Sequence, residues 1–279
     1  MKHLFDELSQ TCSKKVTKTY STSFSTAVNI LSPSIRGAIH NIYGFVRVAD
    51  EIVDSFHDWD KELLLDKFER DFHEALKIGI STNPILNAFQ QTVKEYNIDL
   101  ELIDAFLYSM RMDLHKTTYQ TTEEYNKYIY GSADVVGLMC LKVFVNGDPK
   151  KYDELKESAM RLGSAFQKVN FLRDLKSDAE LLNRSYFPGV NLRNLDPMSK
   201  DRIIKEIEED FAEAYKGIVG LPASSKFGVY TAYVYYLQLL KKLKKAPSNE
   251  IINIRVRVGN HVKFSLLLKS YLDVKLHLV

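Results

Sequence analysis

The seven prolines of this 279-residue chain, Pro33, Pro84, Pro149, Pro188, Pro197, Pro222 and Pro247, all fall between periodic stretches and never inside one. Proline removes an amide donor and clashes with the preceding turn, so segments free of it are left able to form long helices. The apolar spacing in those segments is helical. Ile35, Ile39, Ile42, Phe45, Val46, Ala49 and Val53 recur three or four apart on one stripe. Strict apolar–polar alternation is almost absent. Ser32 before Pro33 predicts a helix start, with the serine hydroxyl accepting an orphan amide hydrogen bond and proline in the first turn. Asn146-Gly147-Asp148-Pro149 predicts a helix end, since glycine tolerates the left-handed cap and the residue before proline resists helix. The spacing predicts helices over 3–18, 21–30, 34–56, 60–77, 84–95, 99–115, 121–145, 150–182, 199–219, 223–243 and 260–277. No fixed-period repeat, low-complexity tract or Gly/Ser/Pro-rich linker divides the chain. The expected architecture is one all-α domain, residues 1–279.

Composition excludes several classes. Hydrophobic residues make up 45% and charged residues 27%, which suits a soluble protein with a large core. Thirty-eight Lys and Arg against 36 Asp and Glu leave a net charge of +2, so no nucleic acid is expected as a partner. Cys12 and Cys140 are far apart and in no Cys-x-x-Cys pair. That argues against a disulfide scaffold or zinc ribbon and fits a reducing cytoplasm. Residues 1–13 mix Lys2, Asp6 and Glu7 with isolated apolar residues, unlike a signal peptide. The most apolar stretch, 135–145, is broken by Lys142 and falls short of the ~20 residues of a membrane-crossing helix. There is no phosphate-binding glycine loop, dinucleotide fingerprint, His-Glu-x-x-His or Gly-x-Ser-x-Gly motif.

Two acidic constellations carry the chemistry. On a helix, Asp50 and Asp54 stand one turn apart on one face, with Arg47 one turn earlier, while Phe45, Val46, Ala49, Ile52 and Val53 pack the other sides. Two like charges on a partly enclosed face cost energy unless a cation joins them. Taken alone, the motif fits a surface helix whose acids pair with Arg47 or nearby lysines. A second stripe shifts the balance: Gln167, Asn170, Arg173, Asp174 and Asp178, with Asn170, Asp174 and Asp178 descending one face turn by turn. Two such helices facing one another would form a cage of carboxylate and amide oxygens. Those donors suit Mg²⁺, with Mn²⁺ as a substitute, and Mg²⁺ fills its remaining positions with water and substrate phosphate oxygens. The expected substrate is a diphosphate whose departure, eased by the cation and by Arg47 and Arg173, generates an allylic carbocation. Such a cation needs water-excluding walls. Phe24, Tyr43, Tyr128, Tyr130, Phe166, Tyr233 and Tyr236 are candidates, although for any one of them core packing is the commoner role.

With these residues in view, the chain resembles the squalene and phytoene synthase family over nearly its whole length. Tyr20-Ser21-Thr22-Ser23-Phe24 is similar to the family's N-terminal Ser-x-Ser-Phe segment, and Tyr43 to Asp54 to its first aspartate-rich helix. The run from Tyr128 to Gly137 is similar to the family's Tyr-x-Tyr-x-x-Ala-Gly-x-Val-Gly run. Leu162 to Asp178 resembles the second aspartate-rich helix, and Asn183-Arg184-Ser185-Tyr186-Phe187-Pro188 the short flap that follows. The resemblance implies an isoprenoid-synthase-type helical bundle around a central cavity. It implies Mg²⁺ on Asp50, Asp54, Asp174 and Asp178 with help from Asn170 and Gln167, and Arg47 on diphosphate. Ser21 and Ser23 would lie near a diphosphate, Phe24, Tyr43, Tyr128, Arg173 and Tyr186 would contact substrate, and Tyr233 would be the late active-site tyrosine.

The implied reaction joins two geranylgeranyl diphosphates head to head, through a cyclopropyl diphosphate, to phytoene, the first committed step of carotenoid biosynthesis. Within the same family, two farnesyl diphosphates would give a C30 squalene or dehydrosqualene. Val28, one turn after Phe24, is modest in size and favours the longer chain. A non-catalytic helical assembly protein is the reading from another class, and the intact aspartates argue against it. Glu51 stands where many members carry a second consecutive aspartate, and Asp134 where glycine is usual. Asp134 could cap local structure, recruit Mg²⁺ or touch substrate. The run Arg255-Val256-Arg257-Val258, Lys263 and the apolar-rich segment after it fit core packing or peripheral contact with a membrane surface.

Overall fold

The computed structural model describes residues 1–176, 184–190, 195–253 and 255–279. The helices are α1 (Lys2–Tyr20), α2 (Thr22–Ile30), α3 (Pro33–Ser55), α4 (Lys61–Ile78), α5 (Pro84–Glu95), α6 (Leu100–His115), α7 (Thr122–Ile129) and α8 (Val135–Phe144). They continue as α9 (Pro149–Arg173), α10 (Pro197–Gly220), α11 (Ala223–Lys245), α12 (Ser248–Ile251) and α13 (Asn260–Lys275). Among the described residues there is no strand, only an isolated parallel bridge between Thr118 and Ser185. The all-α expectation holds.

Local chemistry sets the starts. The side chains of Ser21, Asp60, Asn83, Thr121, Asp148 and Asp196 each accept an amide of the first turn, a cap worth about 1 kcal/mol apiece. Ser32 differs from expectation. It is the N-cap of α3 and Pro33 opens the helix, but its hydroxyl meets Ser34 Oγ at 3.1 Å rather than a backbone amide. The end at Asn146-Gly147 is as read: both residues are left-handed, with φ of 53° and 72°.

Two expected helices are interrupted. The span 121–145 is divided by a π-turn, Tyr130–Asp134, between α7 and α8. The span 150–182 is interrupted at Asp174, the cap of α9 at φ −101° and ψ 12°, and Leu175 and Lys176 are helical again. Asp174 still donates its amide to the Asn170 carbonyl at 2.8 Å, so one turn of the expected stripe survives. Asp178 and Asn183 lie outside the described residues.

Packing forms two clusters. Around α3, α4, α5, α6 and α8, Phe45 is fully enclosed, its ring 4.1 Å from that of Phe89 and 5.1 Å from that of Phe72. Burying such a ring contributes about 1.5–3 kcal/mol and fixes the rotation of α3. The second cluster gathers α7, α9, α10 and α11 around Phe171, Leu172, Phe211 and Leu239. The clusters meet where α8 crosses α9. A Cβ on Gly137 would stand 2.9 Å from the Ala159 carbonyl oxygen, and one on Gly163 2.8 Å from that of Ala133. The obstruction in both cases is backbone, which cannot rotate aside. Gly163→Ala is therefore expected to destabilise the fold by about 1–3 kcal/mol, read as a lower urea midpoint at unchanged m-value.

Candidate active site

The face of α3 opposite Phe45 carries the first acidic group. Arg47 donates to Asp50 at 2.6 Å and to Glu51 at 2.9 Å, with its guanidinium 4.4 Å from the centre of the Tyr20 ring. Asp54 accepts from Arg184 at 2.8 Å. Glu51 also bonds the Ser55 hydroxyl, so the family departure at this position is taken up by Arg47 and Ser55. Burial, and after it the charge of Asp54, push the Asp50 carboxyl up to about 6. Asp50 is held near its neighbour at a cost in ionisation.

Sequence reasoning missed the acid behind this pair. Asp113 on α6 has only 4% of its side chain exposed. It accepts the Tyr128 hydroxyl at 2.7 Å and the Tyr119 hydroxyl at 3.4 Å, and Arg184 donates to its backbone carbonyl at 3.1 Å. Burial is the first cause that drives Asp113 up to about 7, and the charges of Asp54 and Asp50 add to it. A signal was present: Asp113 continues the spacing of Phe106 and Met110 along the buried stripe of α6, where an unpaired acid would be costly. Arg184 is kept at this junction because its segment is pinned to residues 117–119 by Ser185, whose amide donates to the Thr117 carbonyl at 2.8 Å.

The second group comes from α9. Asn170 accepts the Tyr236 hydroxyl at 3.2 Å, and Tyr236 stacks on Phe166 with ring centres 4.0 Å apart. Asp174 is paired with Arg173 beside it and with Arg255, whose Nε lies 2.7 Å from Oδ1. Tyr43 joins the two groups. Facing Arg47 and Asp50 on one side and Tyr236 on the other, it is pushed above its ordinary pKa chiefly by burial.

A cavity of about 600 Å³ runs between the two packing clusters. Ser21, Ser23, Tyr43, Gln167, Asn170, Tyr236 and Lys263 supply its polar lining where α2, α3, α9 and α11 converge. Lys263 donates to Ser23 at 3.0 Å, and Phe24 stacks on Tyr43 at 4.8 Å. Elsewhere the wall is apolar, with Val28, Val136, Leu141, Phe144, Ile218 and Leu221.

Several expected residues stand elsewhere. Tyr233 packs among Phe211, Tyr215 and Tyr230 and is absent from the cavity wall, where Tyr235 and Tyr236 stand instead. A helix turns 100° per residue, so a two- or three-residue shift along α11 changes which tyrosine faces inward. Tyr128 and Tyr186 belong to a buried stack with Phe171, Tyr186 lying 3.8 Å from its ring. Tyr130 is 38% exposed. Asp134 is buried, lies off the cavity wall and makes no helix-cap bond with its side chain, which instead accepts from Ser164 on α9 at 2.7 Å. Among the described residues no three His, Cys, Asp or Glu side chains form a group able to hold a metal ion, so the expected cage is present there as two separate acidic groups. Their oxygen donors still fit a hard cation that takes one or two carboxylates and completes its shell with phosphate oxygens.

Asp113 gives a pH signature. Its folded-state pKa is raised, so the native state holds a proton that the unfolded state has released, and stability falls as pH rises from about 4 through about 7. Asp113→Asn removes this penalty while retaining an acceptor for Tyr128. Its melting temperature relative to the wild type should rise across that interval, and a difference flat with pH would remove the assignment.

The family model for squalene/phytoene synthase matches residues 17–261. Chloroplastic phytoene synthase 1 of Arabidopsis thaliana is 27% identical over 286 residues, an alignment that covers 96% of this chain and 66% of that protein. The 15-cis-phytoene synthase of Enterobacter agglomerans is 29% identical over 252 residues, covering 82% of this chain and 83% of the other. Thus the chain spans about two thirds of the length of the Arabidopsis relative. A ligand-bound dehydrosqualene synthase shares the fold at a TM-score of 0.83 and 19% identity, over 97% of this chain and 98% of that one. Squalene synthase HpnC from Alicyclobacillus acidocaldarius follows at 0.75 and 21%, over 85% and 93%. No helix among the described residues is long and apolar enough to cross a membrane. With the family model spanning most of its length, this chain belongs to the squalene/phytoene synthase family.

Proposed function

We propose that residues 1–279 act as one catalytic unit that joins two geranylgeranyl diphosphates head to head, through a cyclopropyl diphosphate, to phytoene. The observation that carries this reading is an apolar cavity whose polar lining adjoins two acidic helix faces. A greasy chain with a diphosphate head needs both. The ionisation cost at Asp50 and Asp113 supports a cation requirement, because a divalent ion would offset like charges that the fold holds near one another. Asp50, Asp54, Asn170, Asp174 and Asp178 would hold Mg²⁺, with Mn²⁺ as a substitute. The bound ion supplies charge neutralisation for the departing diphosphate.

The rest falls to the chain. Arg47 and Lys263 are donors for phosphate oxygens, and Ser21 and Ser23 orient the head group beside them. The stacked pairs Phe24–Tyr43 and Phe166–Tyr236 present aromatic faces on which an allylic cation is stabilised. The apolar wall excludes the water that would quench it. Relatives named phytoene synthase support the C20 substrate, as does the modest size of Val28 on the cavity wall. The C30 alternative uses the same acids and differs in chain length, which is read by product mass.

Incubation with Mg²⁺ and either geranylgeranyl or farnesyl diphosphate, with and without NADPH, should give a C40 hydrocarbon from the former without NADPH. A C30 hydrocarbon alone would move the protein to the other branch, and no product from either would favour a non-catalytic role. Asp50→Asn should reduce turnover by about 10²–10³ or more while leaving the helical circular-dichroism signal and melting temperature at least at wild-type level, since it removes a repelled charge. Val28→Phe should lower use of the C20 substrate relative to the C15 substrate by filling the wall, and an unchanged ratio would exclude this position from chain-length selection.

A further inference from the structure

Arg184 belongs to no helix, yet its side chain is only 6% exposed and links the two helices behind the first acidic group. Its Nη1 donates to Asp54 Oδ1 on α3 at 2.8 Å, and its Nη2 donates to the Asp113 carbonyl near the end of α6 at 3.1 Å. The same Nη1 lies 3.8 Å from Asp113 Oδ2, within ion-pair range but beyond a hydrogen bond. The guanidinium therefore binds one acid and stands beside a second. That second acid has acceptor capacity to spare. Asp113 Oδ2 accepts from Tyr128 at 2.7 Å and Oδ1 only a long contact from Tyr119 at 3.4 Å, whereas an ionised carboxylate offers about four acceptor positions. Lys61, the other cation that feels the charge of Asp54, is engaged by the Val53 carbonyl at 2.7 Å and His57 Nδ1 at 3.0 Å.

A divalent cation arriving at Asp54 would meet a guanidinium already bound there. Two positive groups on one carboxylate repel, and solvent screens a nearly enclosed arginine little. The guanidinium then needs another anion within reach. Rotation about its anchor on the Asp113 carbonyl carries Nη1 from Asp54 toward Asp113 Oδ2 and leaves the backbone in place, where the Ser185 amide holds the segment to the Thr117 carbonyl at 2.8 Å. We propose that Asp113 is a positioning residue that receives the Arg184 guanidinium when a divalent cation occupies Asp54. Without metal, Arg184 stands in for the cation on Asp54; with metal, it neutralises Asp113 and frees Asp54. The rings of Tyr119, Tyr128 and Tyr186, packed 4.6–6.0 Å apart, fix the receiving carboxylate through its two hydroxyl donors. The exchange rests on Asp54 being a metal ligand, as proposed above; Asp113 itself touches neither metal nor substrate.

The test reads metal binding and needs no turnover. Mn²⁺ is titrated into substrate-free protein at about pH 8, above the value of about 7 to which the Asp113 carboxyl is raised, and the free ion is followed by electron paramagnetic resonance. Asp113→Asn keeps an acceptor for Tyr128 but cannot draw the guanidinium by charge, so Arg184 stays on Asp54 and the Mn²⁺ dissociation constant should rise about tenfold. Arg184→Gln removes the competitor, and in that background Asp113→Asn should change the constant by less than about twofold. This cancellation separates the exchange from simpler roles: an Asp113 that only supports the fold, or whose charge attracts the metal directly, would give the same loss in both backgrounds. Helical circular dichroism and cooperative melting establish that each variant is folded. If Arg184→Gln fails to fold, the side-chain nitrogen resonances of Arg184 report the transfer, moving on Mg²⁺ addition in the wild type and not in Asp113→Asn. Equal Mn²⁺ affinity in wild type and Asp113→Asn, an undiminished loss in the Arg184→Gln background, or Arg184 resonances insensitive to Mg²⁺ would overturn the exchange. Asp54→Asn controls the premise: Mn²⁺ binding that survives it would defeat the metal assignment, whereas binding that needs Asp54 but ignores Asp113 would leave that assignment intact and defeat the exchange alone.

Discussion

The structure is organised around carboxylates that repel one another and are nevertheless held together. Asp50, Asp54 and Asp113 come from two helices whose other faces are fixed by packing: Phe45 locks α3, and Phe106 and Met110 lock α6. Burial first, and then the charge of Asp54, make both Asp50 and Asp113 harder to ionise. Arginines offset this. Arg47 pairs with Asp50, Arg184 with Asp54 and the Asp113 carbonyl, and Arg173 and Arg255 with Asp174. The residual tension appears in the raised pKa values, and a site arranged in this way favours whatever brings positive charge to it.

Close helix approach gives the site its shape. Gly137 and Gly163 let α8 and α9 pack at backbone distance, and the π-turn at Tyr130–Asp134 lets the chain change its facing just before that crossing. Asp134 occupies the last residue of the turn. Its bond from Ser164 ties the turn to α9, while burial raises its carboxyl to about 7. An acid at a position where the family usually has glycine is thus accommodated by a neighbouring hydroxyl on the side away from substrate space.

Much of this was legible in the sequence because it depends on local spacing. Proline placement and apolar periodicity marked nearly every helix, and the acidic stripes pointed to the helix faces that carry Asp50 with Asp54 and Asn170 with Asp174, while Asp178 lies outside the described residues. Features missed depend on contacts made across the fold. The hydroxyl of Ser32 is engaged by Ser34, and the π-turn alters facing without altering composition. Tyr233 and Tyr236 differ in rotation about α11, which is set by Phe211 and Tyr215 on one side and Phe166 and Asn170 on the other. Asp113 acquires meaning only when Arg184, seventy-one residues later, reaches its carbonyl.

The C-terminal segment shows how a small net charge conceals a local excess of basic residues. Arg255 and Lys263 reach Asp174 and Ser23, while Lys269 and Lys275 remain at the surface. On the function proposed above, Arg255 and Lys263 would complete a phosphate-facing rim that the acidic helices alone cannot provide, since carboxylates repel phosphate until cations intervene. The rim's position depends on how α13 lies along α11, a contact that includes the Tyr230–Asp273 hydrogen bond and the Phe227–Tyr271 ring pair. Charge at the site is therefore coupled to packing about two helical turns away: a shift of α13 along α11 would move Lys263 from Ser23 and change the cavity wall at Leu266 and Leu267 in the same motion.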